Sequence, residues 1–216
     1  MEKTYQIKKE DFDAIILADG DFPTHLTPLS YLYKEVYLCC CDGAGQAWIN
    51  RGGMPHAIVG DGDSLENSFK ERYKDIIHIV KEQDDNDLTK ATRFCMDKGF
   101  KKILYLGATG KREDHTIANI SLMVRYAQEL GIQPTLMTDH GYFQPAIGNG
   151  LFESFEHQQV SIFNFTATTI KSQGLKWDTW AFGTWWQGTL NEALGNSFEI
   201  EADGAYLVFR THERKE

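Results

Sequence analysis

Two knots of carboxylates hold most of the chemistry this chain can offer. Gly60-Asp61-Gly62-Asp63-Ser64 ends a short apolar run, and Gln83-Asp84-Asp85-Asn86-Asp87 follows the next apolar run about twenty positions later. Clustered carboxylates suit a hard cation. Mg²⁺ accepts carboxylates and waters in octahedral geometry at about 2.0–2.1 Å and usually also binds substrate phosphates. Phosphate chemistry is therefore the first expectation. A third segment, Gly107-Ala108-Thr109-Gly110-Lys111-Arg112-Glu113-Asp114-His115, supplies the opposite charge. Its small residues would let backbone N–H groups approach a phosphate, and Lys111 and Arg112 lie close to a helix start. It is not a Walker A loop, because no Gly stands five residues before Gly110 and Arg112 follows Lys111 where Ser or Thr is required.

The elements that must position these residues can be read from periodicity. Short β-rich runs at Ala14 to Ala18, Val36 to Cys40, Ala57 to Val59, Ile76 to Val80, Ile103 to Leu106 and Thr135 to Met137 alternate with amphipathic ones. Leu88, Ala91, Thr92, Cys95 and Met96 keep helical spacing up to Gly99, as do Ile117, Ile120, Val124 and Ala127 up to Gly131. This grammar predicts an α/β fold: a doubly wound, mostly parallel sheet with ligands beyond the carboxyl ends of its strands. Each chemical segment follows a predicted strand, and so does Cys41-Asp42-Gly43-Ala44-Gly45. Alone, each has a plainer reading as a turn, a helix cap or a surface ion pair. Together on one sheet edge they argue for a site.

Past Gly141 to Gly150 the pattern changes to short alternating runs, Val160 to Phe165, Ser197 to Glu201 and Ala205 to Phe209, separated by turn signals. The expected organisation is an α/β nucleotide- and metal-binding domain over 1–140 and a smaller antiparallel β-sandwich over 141–216. Trp177, Trp180, Trp185 and Trp186 fall within ten residues of the second part. They could pack in a core or dimer contact, or stack on an aromatic or cationic ligand.

Bulk properties exclude several classes. A net charge of −9 and a pI near 5.3 argue against a general nucleic-acid or lipid-surface binder. The sequence has no apolar leader at its start and no run of eighteen apolar residues, so a cytoplasmic protein is expected, with no membrane partner. Cys39, Cys40 and Cys41 are consecutive and Cys95 stands apart, which suits reduced thiols rather than a disulfide framework or a zinc site.

At this level of detail the chain resembles the thiamine pyrophosphokinases. Asp42-Gly43-Ala44 is similar to that family's Asp-Gly-Gly/Ala element, and Gly60 to Ser64 to its Gly-Asp-x-Asp-Ser motif. Gln83 to Ala91 resembles Gln-Asp-x-Thr-Asp-Leu/Phe-x-Lys-Ala/Cys, and Gly107 to His115 resembles Gly-Ala-Thr-Gly-Gly-Arg-x-Asp-His. In the second half, Gly174-Leu175-Lys176-Trp177 and Gly188-Thr189-Leu190-Asn191-Glu192 resemble Gly-Leu-Lys-Trp/Tyr and Gly-x-Ser-Asn.

The resemblance implies a homodimer with active sites between subunits, and conversion of ATP and thiamine to AMP and thiamine diphosphate. It puts Asp61, Asp63 and Asp87 nearest the Mg²⁺, with Asp42 close by. Gln83 would touch thiamine, as would Asn191 of the partner subunit. Thr109, Gly110, Lys111, Arg112, Asp114 and His115 would belong to the ATP site along with Asp42 and Lys90. Asp63, Asp87, Lys90 and Arg112 are the expected catalytic groups. Four positions depart from the family pattern: Lys111 replaces a glycine, Asn86 a threonine, Gly62 a bulkier residue and Leu190 a serine. A pyrophosphokinase for another hydroxymethyl heterocycle, such as a pterin, and a non-catalytic nucleotide or thiamine sensor are the alternatives.

Overall fold

The structure, a computed structural model, describes residues 3–6 and 12–214. Two compact units divide it, Phe12–Ile120 and Met1–Asp11 with Ser121–Glu216. The first strand, β1 (Lys3–Tyr5), belongs to the second unit.

The first unit opens with β2 (Ala14–Leu17) and continues through α1 (Leu26–Tyr31), β3 (Tyr37–Cys41), α2 (Asp42–Asn50), β4 (Ala57–Gly60), α3 (Asn67–Arg72), β5 (Ile77–Ile79), α4 (Asp87–Asp97) and β6 (Lys102–Leu106). Its strands form a parallel sheet in the order β6-β2-β3-β4-β5. In register, Ile15 of β2 lies between Leu38 and Leu104, and Cys40 of β3 lies beside Ile58 of β4. Strands covered on both faces read as unbroken apolar runs, and Ala14–Leu17 and Ala57–Gly60 are buried throughout. The three consecutive cysteines serve this sheet as small apolar residues. All four thiols are free and buried, and burial pushes the Cys40 thiol well above its ordinary range.

Helix α4 follows its sequence signals closely. Asn86 caps it, its side chain accepting from Thr89 N at 3.0 Å, and Asp87 sits in the first turn where the helix dipole favours an anion. Leu88, Ala91 and Cys95 form the buried face, which packs on β3 and β4. Gly99 ends it with φ +89°.

Helix α2 is less legible. The run Asp42-Gly43-Ala44-Gly45, expected as a loop, is its first turn. Two glycines disguise a helix start because their propensity is poor. Packing explains one of them: a Cβ on Gly45 would stand 2.6 Å from the side chain of Ile58, so the glycine lets α2 lie tight against β4.

The unit boundary falls inside α5 (Glu113–Glu129). The second unit then contains β7 (Gln133–Met137), β8 (Gly141–Ile147), β9 (Gly150–Glu153), β10 (Gln158–Asn164), β11 (Ile170–Gln173), β12 (Asn191–Glu192), β13 (Ser197–Ala202) and β14 (Ala205–Arg214). One antiparallel row runs β12-β10-β14-β8-β7, and a smaller sheet runs β1-β9-β13-β11. Inward residues of both, including Tyr5, Phe152, Ile162, Phe198, Ile200 and Val208, share one core. The Gly141 to Gly150 stretch, where the sequence pattern changes, is mostly strand. Gly141 can be nothing larger where it meets β14, since a Cβ would lie 2.2 Å from the Arg210 carbonyl.

Arg210 is fully buried in this unit. Its guanidinium donates to the carbonyls of Tyr5 and Glu153 and to Gln144 Oε1, which ties β1 to β9 and β14. Among the described residues, no helix is long and apolar enough to cross a membrane.

Candidate active site

The sheet order of the first unit marks where a ligand should bind. From β2 the chain steps outward through β3, β4 and β5, then returns to the other side of β2 as β6. The crevice beyond the carboxyl ends of β2 and β6 is thus a topological switch point. The loops there are laced together, with Gly20 N donating to Gly107 O at 2.6 Å and Asp21 N to Thr109 O at 2.8 Å. A Cβ on Gly20 would lie 2.2 Å from Thr109 O, so a glycine is required for this approach.

A cavity of about 520 Å³ opens at these strand ends. Its acidic part begins with Asp42, buried at the start of α2. Gly62 N donates to Asp42 Oδ2 at 2.9 Å and Ser64 Oγ at 3.2 Å, while Oδ1 has no hydrogen-bond partner. Burial, then the charge of Asp87, pushes the Asp42 carboxyl above its ordinary range. Asp61 lines the cavity from the next loop and is held below the ordinary range, chiefly by the Asp63 backbone N–H at 3.0 Å. The Gly62 departure also has a local reason. Its φ is +79° and a Cβ would meet Ile79 Cδ1 at 2.6 Å, so glycine allows the turn that aims its N–H at Asp42.

The cationic part faces the same space. Lys90 is buried and its Nζ lies 3.3 Å from Asp87 Oδ1. Lys111 Nζ lies 2.9 Å from Asp19 Oδ1. Its φ of +57° explains why a glycine suits the position and shows that this chain accepts left-handed strain to place an ammonium there. Arg112 is forked onto Asp114 at 3.0 and 2.6 Å, and that contact holds the Asp114 carboxyl below its usual range.

Of the residues singled out from sequence, Asp42, Asp61, Gln83, Asp87, Lys90, Gly110, Lys111, Arg112 and His115 line this one cavity. Asp63 and Thr109 are on its loops and Asp114 is in the first turn of α5, all three outside its lining, and Asp63 and Asp114 are exposed. Asn191 is in the sandwich unit and is buried. Its side chain accepts from Trp177 N at 3.1 Å and Glu192 N at 2.8 Å, and donates to Trp177 O at 2.8 Å. Leu190 is exposed with φ +65°.

Sequence reasoning missed Asp19, Gly20 and Asn119, which also line the cavity. Asp19-Gly20 follows a recognised strand, so its place on the sheet edge was available. Asn119 gave no signal. It joins the loops through a ladder in which Asn86 Nδ2 donates to Asn119 Oδ1 at 3.2 Å and Asn119 Nδ2 to Ala108 O at 2.8 Å. Asn86, departing from the family threonine, is both helix cap and first rung.

The donor set suits Mg²⁺ in chemistry. Asp42 Oδ1 is a buried anionic oxygen without a partner, in space kept open by Gly60, whose Cβ would stand 2.1 Å from it. Among the described residues, no three His, Cys, Asp or Glu side chains already stand as a metal-holding group. Mg²⁺ does not demand one, since it commonly takes one or two carboxylates and completes its shell with water and substrate phosphates.

Two family models match this chain. That described as thiamin pyrophosphokinase, catalytic domain, matches residues 29–133, and that described as thiamin pyrophosphokinase, substrate-binding domain, matches residues 141–209. The chain belongs to the thiamin pyrophosphokinase family. Thiamin pyrophosphokinase 1 of Caenorhabditis elegans is 29% identical over 102 residues, covering 43% of this chain and 42% of the worm protein. The matched stretch is thus less than half the length of that relative.

The fold is that of solved thiamin pyrophosphokinases. The Bacillus subtilis enzyme superposes with a TM-score of 0.74 at 20% identity, over 93% of this chain and 99% of the other. The Candida albicans enzyme gives 0.72 at 15% identity, over 97% and 96%. The yeast enzyme gives 0.74 at 17%, over 94% and 87%. In thiamin pyrophosphokinase terms, the cavity lining from Cys41 to Asn119 lies within the catalytic-domain match, with Ala18, Asp19 and Gly20 just before it, and the exposed tryptophans lie within the substrate-binding match.

Proposed function

We propose that the chain transfers the pyrophosphoryl group of Mg-ATP to the hydroxyl of thiamine, giving thiamine diphosphate and AMP. The observation that carries this reading is the cavity itself: Asp42, Asp61 and Asp87 with Lys90, Lys111 and Arg112, in a chain that matches both family domains. Acids alone would repel a polyphosphate, and cations alone would hold it without a seat for a divalent ion.

Asp42, Asp61 and Asp87 would hold Mg²⁺, with Asp63 reaching in from the Asp61 turn. Bound there, the ion would neutralise phosphate charge. Lys90, Lys111 and Arg112 stabilise the transferring group, and Thr109, Gly110, Asp114 and His115 shape the nucleotide end. Gln83 positions thiamine. Asn191 of the partner subunit does so in a homodimer whose sites lie between subunits.

The thiamine hydroxyl oxygen attacks the β-phosphorus in line. A new O–P bond forms, the bond from the β-phosphorus to the α,β-bridging oxygen breaks, and AMP leaves with that oxygen. The hydroxyl proton passes to a carboxylate, Asp63 or Asp87. Positioning and charge neutralisation do the catalysis, with no covalent enzyme intermediate.

An AMP-release assay with Mg²⁺, ATP and a panel of acceptors tests this. The expected result is AMP that depends on thiamine. AMP released only with a hydroxymethyl pterin would assign another acceptor, and ligand binding without turnover would make the protein a sensor.

A further inference from the structure

Arg93 does not line the cavity, yet it holds a loop that does. Residues 80–86, between β5 and α4, form no helix or strand of their own. Three charged side chains close a ring across them. Asp85 N donates to Glu82 Oε1 at 2.7 Å, Arg93 Nη2 lies 2.6 Å from Asp85 Oδ2, and Arg93 Nη1 lies 3.9 Å from Glu82 Oε2. Gln83 stands inside this ring, between Glu82 and Asp85, and Asp87 follows it as the first residue of α4. We propose that Arg93 is a positioning residue for the acceptor alcohol: by fixing Glu82 and Asp85 it sets the place of Gln83 in the cavity. The proposal rests on the pyrophosphokinase reading, in which Gln83 positions thiamine, and adds a residue beyond the Gln83 to Ala91 segment that implied that role.

The ring supplies geometry rather than stability. The Arg93 side chain is 47% exposed and that of Asp85 11%, and an ion pair so open to solvent adds little to the folding free energy. A guanidinium is nonetheless a rigid planar fork. Turned to carboxylates at both ends of a short segment, it fixes the course of the chain between them. The far end of the loop has its own ties, since Asn86 caps α4 and donates to Asn119. Gln83 also makes a side-chain hydrogen bond to the Asp61 carboxylate, so its placement bears on the acidic part of the cavity as well.

Asp85 itself lines the cavity, so Arg93 also opposes the charge of an acid that would face the phosphates. Positioning and charge predict different outcomes. Loss of positioning weakens the acceptor and leaves ATP alone, whereas loss of a cation weakens the polyanion first.

Steady-state kinetics with Mg-ATP and thiamine separate the two in wild type, Arg93→Ala, Arg93→Lys and the double variant Arg93→Ala with Asp85→Asn. Thermal melts and hydrogen exchange of the loop amides are readouts that need no turnover. For Arg93→Ala the expected result is a KM for thiamine raised about ten-fold, the measure of one hydrogen bond to a charged group, with kcat, KM for ATP and melting temperature unchanged and exchange at Asp85 faster. Lysine, a point charge that reaches one carboxylate at a time, should recover part of the loss. The double variant restores the local charge but not the ring, so it should stay as impaired as Arg93→Ala. A thiamine KM restored in the double variant, or a rise in the ATP KM instead, would assign Arg93 to charge and overturn the proposal. Wild-type KM values or unchanged exchange in Arg93→Ala overturn it too. Wild-type protein that releases no thiamine-dependent AMP overturns the pyrophosphokinase reading, and this proposal with it.

Discussion

In the α/β unit the buried carboxylate of Asp42 keeps one oxygen without a partner at the edge of a cavity, whereas in the sandwich unit the fully buried guanidinium of Arg210 turns both terminal nitrogens to two carbonyls and Gln144 and leaves only Nε without a partner. The same contrast runs through their surfaces. Charged groups of both signs line the cavity of the first unit, and the second exposes Trp177, Trp180, Trp185, Trp186, Leu190 and Leu194. The Asp42 oxygen stands where a ligand can reach it, while the Arg210 guanidinium fixes strands in a unit that presents aromatic surface. Burial of a charge therefore says little about its role until its partners are counted.

The largest expected effect separates activity from stability. Asp61→Asn should lower turnover by at least about 10²-fold, the usual cost of losing a group that stabilises developing charge, with an unchanged melting temperature. Arg210→Met should do the reverse. It should cost about 3 kcal/mol in a denaturant titration, since hydrogen bonds to a buried charge are lost, while kcat per folded molecule stays at the wild-type level. A dead but folded Arg210 variant would break the comparison.

Lys111→Gly carries a smaller, two-sided expectation. Relief of the left-handed backbone should add about 1 kcal/mol, and loss of the exposed pair with Asp19 should remove at most about half of that. Nucleotide affinity should fall at the same time, so the melting temperature and KM for ATP should both rise. A fall in stability would show that the Asp19 pair outweighs the strain.

The smallest effect is a pH dependence in the sandwich unit. Hydrogen bonds from Thr168 and Thr169 hold the Asp203 carboxyl down at about 2, against an ordinary value of 3.8. A depressed carboxylate contributes stability that is complete above the unfolded value and lost as pH falls through the folded one. Melting temperature of the wild type should therefore drop between pH 3.8 and about 2 more steeply than that of Asp203→Asn. Parallel curves would remove Asp203 from the turn's support.

Much of the α/β unit was legible because parallel strands buried on both faces need unbroken apolar runs, as in Ala14–Leu17 and Ala57–Gly60, and because Asn86 and Gly99 mark the ends of α4. Helix α2 was hidden by Gly43 and Gly45, which propensity reads as loop, although packing against Ile58 requires the second of them. Strand β8 was hidden by Gly141 and Pro145 for a similar reason, since contacts distant in sequence decide it. Within the site, the acidic and basic loops declared themselves by charge. Asn119 could not, because a single amide on a helix acquires its meaning only through Asn86 and Ala108. Phe22 and Arg51 likewise come into contact only once the end of α2 and the β2 loop meet.

Phosphorus NMR of a mixture of the protein with Mg²⁺, ATP and thiamine tests the central claim most directly. The account predicts that ATP resonances give way to those of AMP and of a diphosphate ester of thiamine in equal amounts, and only when thiamine is present. Formation of ADP with a thiamine monophosphate, or an ATP spectrum unchanged by thiamine, would contradict it.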